Sequence, residues 1–243
     1  MRTPALQSRR LRDYTSIPFE IFIVVFSVLP FFVLAYFYPI LPARVPLFLN
    51  LRGEVEVWAQ KSVLSVVRVS LMAVDAQLIC LLMKYGTVKS QTIVPPETST
   101  EQAEYQRQYV SLNVGLWDWF RFLVAFKMSA ASLDTIFLSL DRFKSLSRPA
   151  FAITTIAALL SIAGGLFYIY RLLVLKAKMR EKSGEGKIRK PIDVRHVYGG
   201  FLYFNPSDPA LFVSKYIFNF ANKWVYVFIA SIVAYPLLVF SPI

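Results

Sequence analysis

Histidine and cysteine are almost absent from this chain, which has one of each, His196 and Cys80. A single cysteine excludes an intrachain disulfide and every paired-cysteine metal or haem-attachment motif. A single histidine excludes a multi-histidine metal centre and leaves histidine-based catalytic triads without supporting motifs. Glycine is sparse too, at nine residues in 243, and none of them builds a phosphate-cradling loop. Charge is scarce at 17%, and acids are the scarcer sign, with 15 Asp and Glu against 27 Lys and Arg. The chain lacks both the reactive motifs and the polar surface of a soluble enzyme, and reads as non-enzymatic with no metal or cofactor implied. His196 alone offers an axial ligand for one haem or chlorophyll, but at the end of a basic run a solvated interfacial imidazole is the simpler expectation.

What fills the space is apolar. Hydrophobic residues make up 56% and aromatics 16% of the chain, a balance suited to a lipid surround rather than to water. A bilayer core of roughly 30 Å takes about 20 helical residues at about 1.5 Å each. Five stretches meet that need: about 19–38, 62–83, 116–140, 151–175 and 224–240. The first is uninterrupted except for Pro30, and the last is short and contains Pro236. The expected architecture is all-α: a polytopic bundle of about five transmembrane helices forming one membrane domain over residues 1–243. The polar segment 92–108, with Pro95 and Pro96, is expected to be a loop or a short surface helix.

Charge placement orients the bundle. The amino-terminal tail, the loop after the second stretch and the loop 176–223 hold 4, 3 and 10 Lys and Arg, 17 together. The two opposite loops hold three each. Positive charge collects on the cytoplasmic side of membranes, so the amino terminus is expected inside and the carboxyl terminus outside. The basic run 176–195 begins where the fourth stretch ends, a position that suits anionic lipid headgroups. It lacks the aromatic interleaving of a nucleic-acid surface, and no nucleic acid is expected.

Ionisable groups inside the stretches are costly unless paired. Arg68 and Asp75 lie two turns apart on the second, and Lys127 and Asp134 likewise on the third. Counted from the outer ends, Arg68 and Asp134 lie about 10 Å deep and Asp75 and Lys127 about 20 Å deep. Two cross-helix ion pairs are expected, Arg68 with Asp134 and Asp75 with Lys127. On the fourth stretch, Ala157, Ser161 and Gly165 form a small-residue seam that admits another helix, from this chain or from a partner subunit.

The first outer loop carries a motif. Tyr38-Pro39-x-Leu41-Pro42-x-x-Val45-Pro46 leads to Asn50, Gly53-Glu54, Trp58 and Lys61. It resembles the amino-terminal domain of SdpI-type bacterial membrane proteins, with Phe48 where that family usually has a histidine. Prolines stiffen such a loop, Gly53 permits a tight turn, and Trp58 and Lys61 suit the membrane interface. A second motif near the carboxyl end, Tyr198-Gly199-Gly200-Phe201-x-Tyr203-x-Asn205-Pro206-x-Asp208-Pro209, is similar to a signature of uncharacterised relatives of that family. Val197–Phe204 reads as a strand and Asn205–Pro209 as a turn, so a small β-hairpin is expected over 197–213 in the last cytoplasmic loop.

The resemblance implies a bacterial plasma-membrane protein that acts by binding, in toxin immunity or signal transduction. Three roles fit the residues. One is a non-catalytic accessory subunit packed against partner membrane proteins in a larger complex. Another is an SdpI-like immunity or signal-transducing receptor. The third is a small carrier or proton path along the interior charges.

Overall fold

The computed structural model describes residues 11–50, 54–90, 100–140, 144–183, 194–198, 202–208, 210–214 and 217–240. Five α-helices dominate: α1 (Ile17–Phe37), α2 (Val63–Ser90), α3 (Thr100–Ser139), α4 (Lys144–Ser183) and α5 (Lys223–Phe240). The helices α1 to α4 are each long and apolar enough to cross a membrane, and α5 is a shorter apolar helix. The protein is thus a multi-pass integral membrane protein. At 18 residues, α5 extends about 27 Å, close to the hydrocarbon thickness but with nothing to spare.

Two helices exceed their expected spans. With 40 residues each, α3 and α4 extend about 60 Å, twice a bilayer core. The extension of α3 takes in residues 100–115, most of them expected in a loop. Its opening run Thr100-Glu-Gln-Ala-Glu-Tyr-Gln-Arg-Gln is rich in strong helix formers. Val110 and Val114, one turn apart, are then buried with Val88 of α2, which gives the extension an apolar seam that a hydropathy window does not register. The earlier part of that polar segment, 92–99, lies outside the described residues. In α4 the Lys-Ala-Lys-Met-Arg-Glu-Lys run after Leu175 is also helix-forming, so the helix continues past the apolar stretch.

Among the described residues, six short strands form three antiparallel hairpins. The first, β1 (Arg44–Leu49) with β2 (Val55–Gln60), occupies the loop between α1 and α2, where the sequence predicted a proline-stiffened path with a tight turn. Pro46 lacks an amide to donate, and the register shifts beside it as a bulge. Asn50 and Glu54 close the loop end: the Asn50 amide nitrogen donates to the Glu54 carbonyl at 2.9 Å and the Glu54 N–H to Asn50 Oδ1 at 3.0 Å. Lys61 secures the base, with Nζ on the Leu41 carbonyl at 2.8 Å and 5.1 Å from the Tyr38 ring centroid. Ser62 caps α2, its Oγ accepting from the Ser65 N–H at 3.0 Å while Ser65 Oγ accepts from the Ser62 N–H at 2.9 Å. Beneath the hairpin, Leu34, Leu41, Val45, Val66 and Ile136 form a fully apolar cluster. Gly53, expected to permit the turn, lies outside the described residues.

The last loop holds two hairpins where one was expected. The expected strand Val197–Phe204 divides into β3 (Val197–Tyr198) and β4 (Leu202–Tyr203), which pair with each other. The two halves run antiparallel, Val197 opposite Tyr203 and Tyr198 opposite Leu202, and the residues between them, 199–201, lie outside the described residues. The second hairpin joins β5 (Phe212–Ser214) to β6 (Ile217–Phe218), and a bridge from Tyr203 to Asn219 links the two.

By their contacts the residues fall into two compact units. One comprises residues 1–16, 79–118 and 165–230, and the other 17–78, 119–164 and 231–243.

Candidate functional site

In the unit built from 17–78, 119–164 and 231–243, a buried guanidinium is the organising group. Arg121 of α3 makes a two-pronged pair with Glu20 of α1, Nη1 to Oε1 at 2.7 Å and Nη2 to Oε2 at 2.6 Å. The planar fork matches a carboxylate face to face, which fixes orientation as well as charge. Glu20 stands in the first turn of α1, where the positive helix end also favours a carboxylate. Gln77 of α2 completes the cluster: its Nε2 donates to the Arg121 carbonyl at 2.6 Å and its Oε1 accepts from Arg121 Nε at 3.3 Å. One side chain thus ties three helices together.

The residues marked by the sequence sit elsewhere in this unit. Arg68 is buried and donates from Nε to the Leu238 carbonyl, joining α2 to α5. Asp75 takes a hydrogen bond from the Ser231 side chain, while its Oδ2 is buried without a hydrogen-bond partner. Asp134 is buried on α3, and the charge of Lys127, two turns back on the same helix, acts on it. Hydroxyls add further links: Ser70 donates to Ser132 Oγ at 2.9 Å, and Ser129 to the Phe26 carbonyl.

The small-residue seam lies on α4. Ser161 and Gly165 are buried and Ala157 is half-buried. Trp119 of α3 donates its indole N–H to the Ser161 carbonyl at 2.5 Å. Its ring crosses Gly164 so closely that an added Cβ would stand 2.4 Å from it, so a glycine is required for this approach. The Ser161 hydroxyl turns back to the Ala157 carbonyl at 2.7 Å.

In the unit built from 1–16, 79–118 and 165–230, Lys84 and Asp118 form the central pair. Lys84 Nζ donates to both carboxylate oxygens, at 2.8 and 3.0 Å, and the lysine has no solvent exposure. By apolar count the second stretch ends at Met83, which predicts a loop at Lys84. The cation is instead carried another turn and a half inside α2, which ends at Ser90. Glu20 leaves little trace in the sequence for a related reason, since one acid scarcely lowers the average of a strongly apolar run. A signal was present for both: α3 carries an opposite charge for each, Arg121 for Glu20 and Asp118 for Lys84.

This unit also contains a polar knot centred on Asn219, which has no solvent exposure. Asn219 Nδ2 donates to the carbonyls of Asn205 and Asp208 at 2.9 and 2.8 Å, and its Oδ1 accepts from the N–H of Asn205 and Ala221 at 3.0 and 3.2 Å. Asn205 Oδ1 accepts from the Ser207 N–H and Asp208 Oδ1 from the Ala210 N–H, both at 3.0 Å, as turn-forming side chains do. Tyr203, buried, donates its hydroxyl to Asp208 Oδ2 at 3.2 Å. Pro206 is exposed on the turn. Gly199, Gly200 and Pro209 of the motif lie outside the described residues. His196 is half-buried, its ring 6.3 Å from that of Tyr203. Among the described residues no three His, Cys, Asp or Glu side chains gather where a metal ion would fit.

In the loop between α1 and α2, Pro46 is buried, Asn50 half-buried, and Pro42 and Trp58 exposed. Of the basic run 176–195, Lys176, Lys178 and Arg195 are exposed, and Lys176 Nζ lies 5.3 Å from the Tyr109 ring centroid. Residues 184–193 lie outside the described set.

Compared with known proteins, the chain matches no family model, no curated protein and no solved structure.

Proposed function

We propose that the chain is a non-catalytic subunit of a membrane complex, with its apolar helix faces packed against partner membrane proteins. The observation that carries this reading is α4. Between residues 155 and 175 only Ser161, Gly165, Leu172 and Leu175 are buried, and the exposed positions include Ile156, Leu160, Phe167, Tyr170 and Leu173. A helix so thinly covered by its own chain has a broad surface for other helices. Inside the chain, buried polar groups bind one another: Arg121 with Glu20 and Gln77, Lys84 with Asp118, and Asn219 with its turn. Those arrangements hold helices and loops in place rather than presenting a reactive group. With five crossings, the excess of basic residues puts the amino terminus in the cytoplasm and the carboxyl terminus outside a bacterial plasma membrane.

Extraction in a mild detergent followed by measurement of particle mass and composition tests the proposal. Stoichiometric membrane partners are expected with the chain. A particle made of this chain alone overturns the subunit reading and favours a second one, an SdpI-like immunity or signalling receptor. That second reading draws on the outer loop, where Tyr38, Leu41, Asn50, Glu54 and Lys61 join in one bonded hairpin. Such a hairpin offers an external surface for a ligand.

A further inference from the structure

We propose that the β3–β4 hairpin is a lipid anchor, with Tyr198, Leu202 and Phe204 lodged in the headgroup–acyl boundary of an anionic bilayer. The ladder sets Tyr198 opposite Leu202. Phe204 continues it, its N–H on the His196 carbonyl at 3.0 Å. Side chains alternate along a strand, so these three share one face. They are 54%, 39% and 45% exposed, whereas Tyr203, between two of them, is 2% exposed on the other face. Adjoining large apolar side chains on so small an element call for a cover.

The start of α5 shows what covers them. The Phe220 N–H donates to the Tyr203 carbonyl at 2.9 Å, and Asn219 binds the Asn205 backbone. The hairpin is thereby tied to the residues immediately before Lys223, where α5 begins. Lys223 Nζ lies 5.7 Å from the Trp224 ring centroid, Trp224 and Tyr226 are exposed, and the Tyr226 hydroxyl reaches the Phe220 carbonyl at 3.1 Å. Tryptophan, tyrosine and lysine at the end of an apolar helix mark the membrane–water boundary. The hairpin is held at that level. Lys176, Lys178, Arg195 and Lys223 are exposed in the same unit, while the turn's acid, Asp208, is buried and engaged. Exposed cations in the unit that carries an apolar face complement anionic headgroups above acyl chains.

Nitroxide labels on the full-length chain test this in proteoliposomes of phosphatidylcholine with phosphatidylglycerol. Cys80→Ser provides the background, and Leu202→Cys and Phe204→Cys are labelled singly. Exposed Ser207→Cys is the water reference and exposed Leu173→Cys, on α4, the lipid reference. Labels at 202 and 204 are expected to collide more with oxygen than with a water-soluble nickel chelate, as at 173, with the reverse at 207. Replacing phosphatidylglycerol by phosphatidylcholine is expected to shift 202 and 204 toward the water reference. Labels at 202 and 204 that behave like 207 overturn the proposal, as does immersion unchanged by loss of the anionic lipid. Shielding from both reagents overturns it as well, and makes the cover a protein surface.

Discussion

Lys84→Met alone is expected to destabilise the protein by roughly 3–5 kcal/mol, because it takes from the Asp118 carboxylate the ammonium that contacts both its oxygens. The ammonium has no solvent exposure and contacts both carboxylate oxygens of Asp118, whose side chain is itself 20% exposed. Asp118→Leu alone takes both of those contacts from the buried ammonium in turn. The double variant Lys84→Met with Asp118→Leu removes both charges and fills the space with apolar atoms, and most of the stability is expected to return. Thermal unfolding in one detergent, with all four chains compared, provides the cycle. A double variant no better than the worse single would mean that the pair is not what makes the single changes costly.

Asn219→Asp should be almost as damaging although it alters a single group. The amide nitrogen donates to two carbonyls, and a carboxylate oxygen there would confront both without a hydrogen. Two stranded acceptors at about 1–3 kcal/mol each predict a loss of about 2–6 kcal/mol. Asn219→Ser, small and still polar, should lose less, since it removes bonds without adding repulsion. Limited proteolysis between residues 194 and 222 reads the effect locally, with cleavage expected in Asn219→Asp under conditions that spare the parent. Equal resistance of the two chains would show that the last loop is held by its apolar contacts, among them the Phe212, Phe218 and Phe228 ring cluster.

The apolar stretches were readable because burial in lipid requires an unbroken run of one residue class, a local property. The helix cores at 19–38, 62–83, 116–140, 151–175 and 224–240 all lie within observed helices or within two residues of their ends. Helix ends were less readable. Hydropathy stops at the bilayer boundary, whereas helix propensity in 100–115 and 176–183 does not. The turn side chains of Asn205 and Asp208 were also legible, because each binds an amide two residues ahead.

The sequence alone determined that this chain lives among lipids, that its helices number about five, and that it lacks paired cysteines and clustered histidines. Tertiary structure alone decided which charges meet. Arg121 finds Glu20 across 101 residues and Lys84 finds Asp118 across 34. Depth along a helix can be counted from a sequence, and it limits which charges lie at one level. The direction in which each side chain leaves its helix depends on how neighbouring helices are rotated and spaced. That rotation is set by close contacts such as Trp119 on Gly164, in which one absent Cβ admits a whole indole.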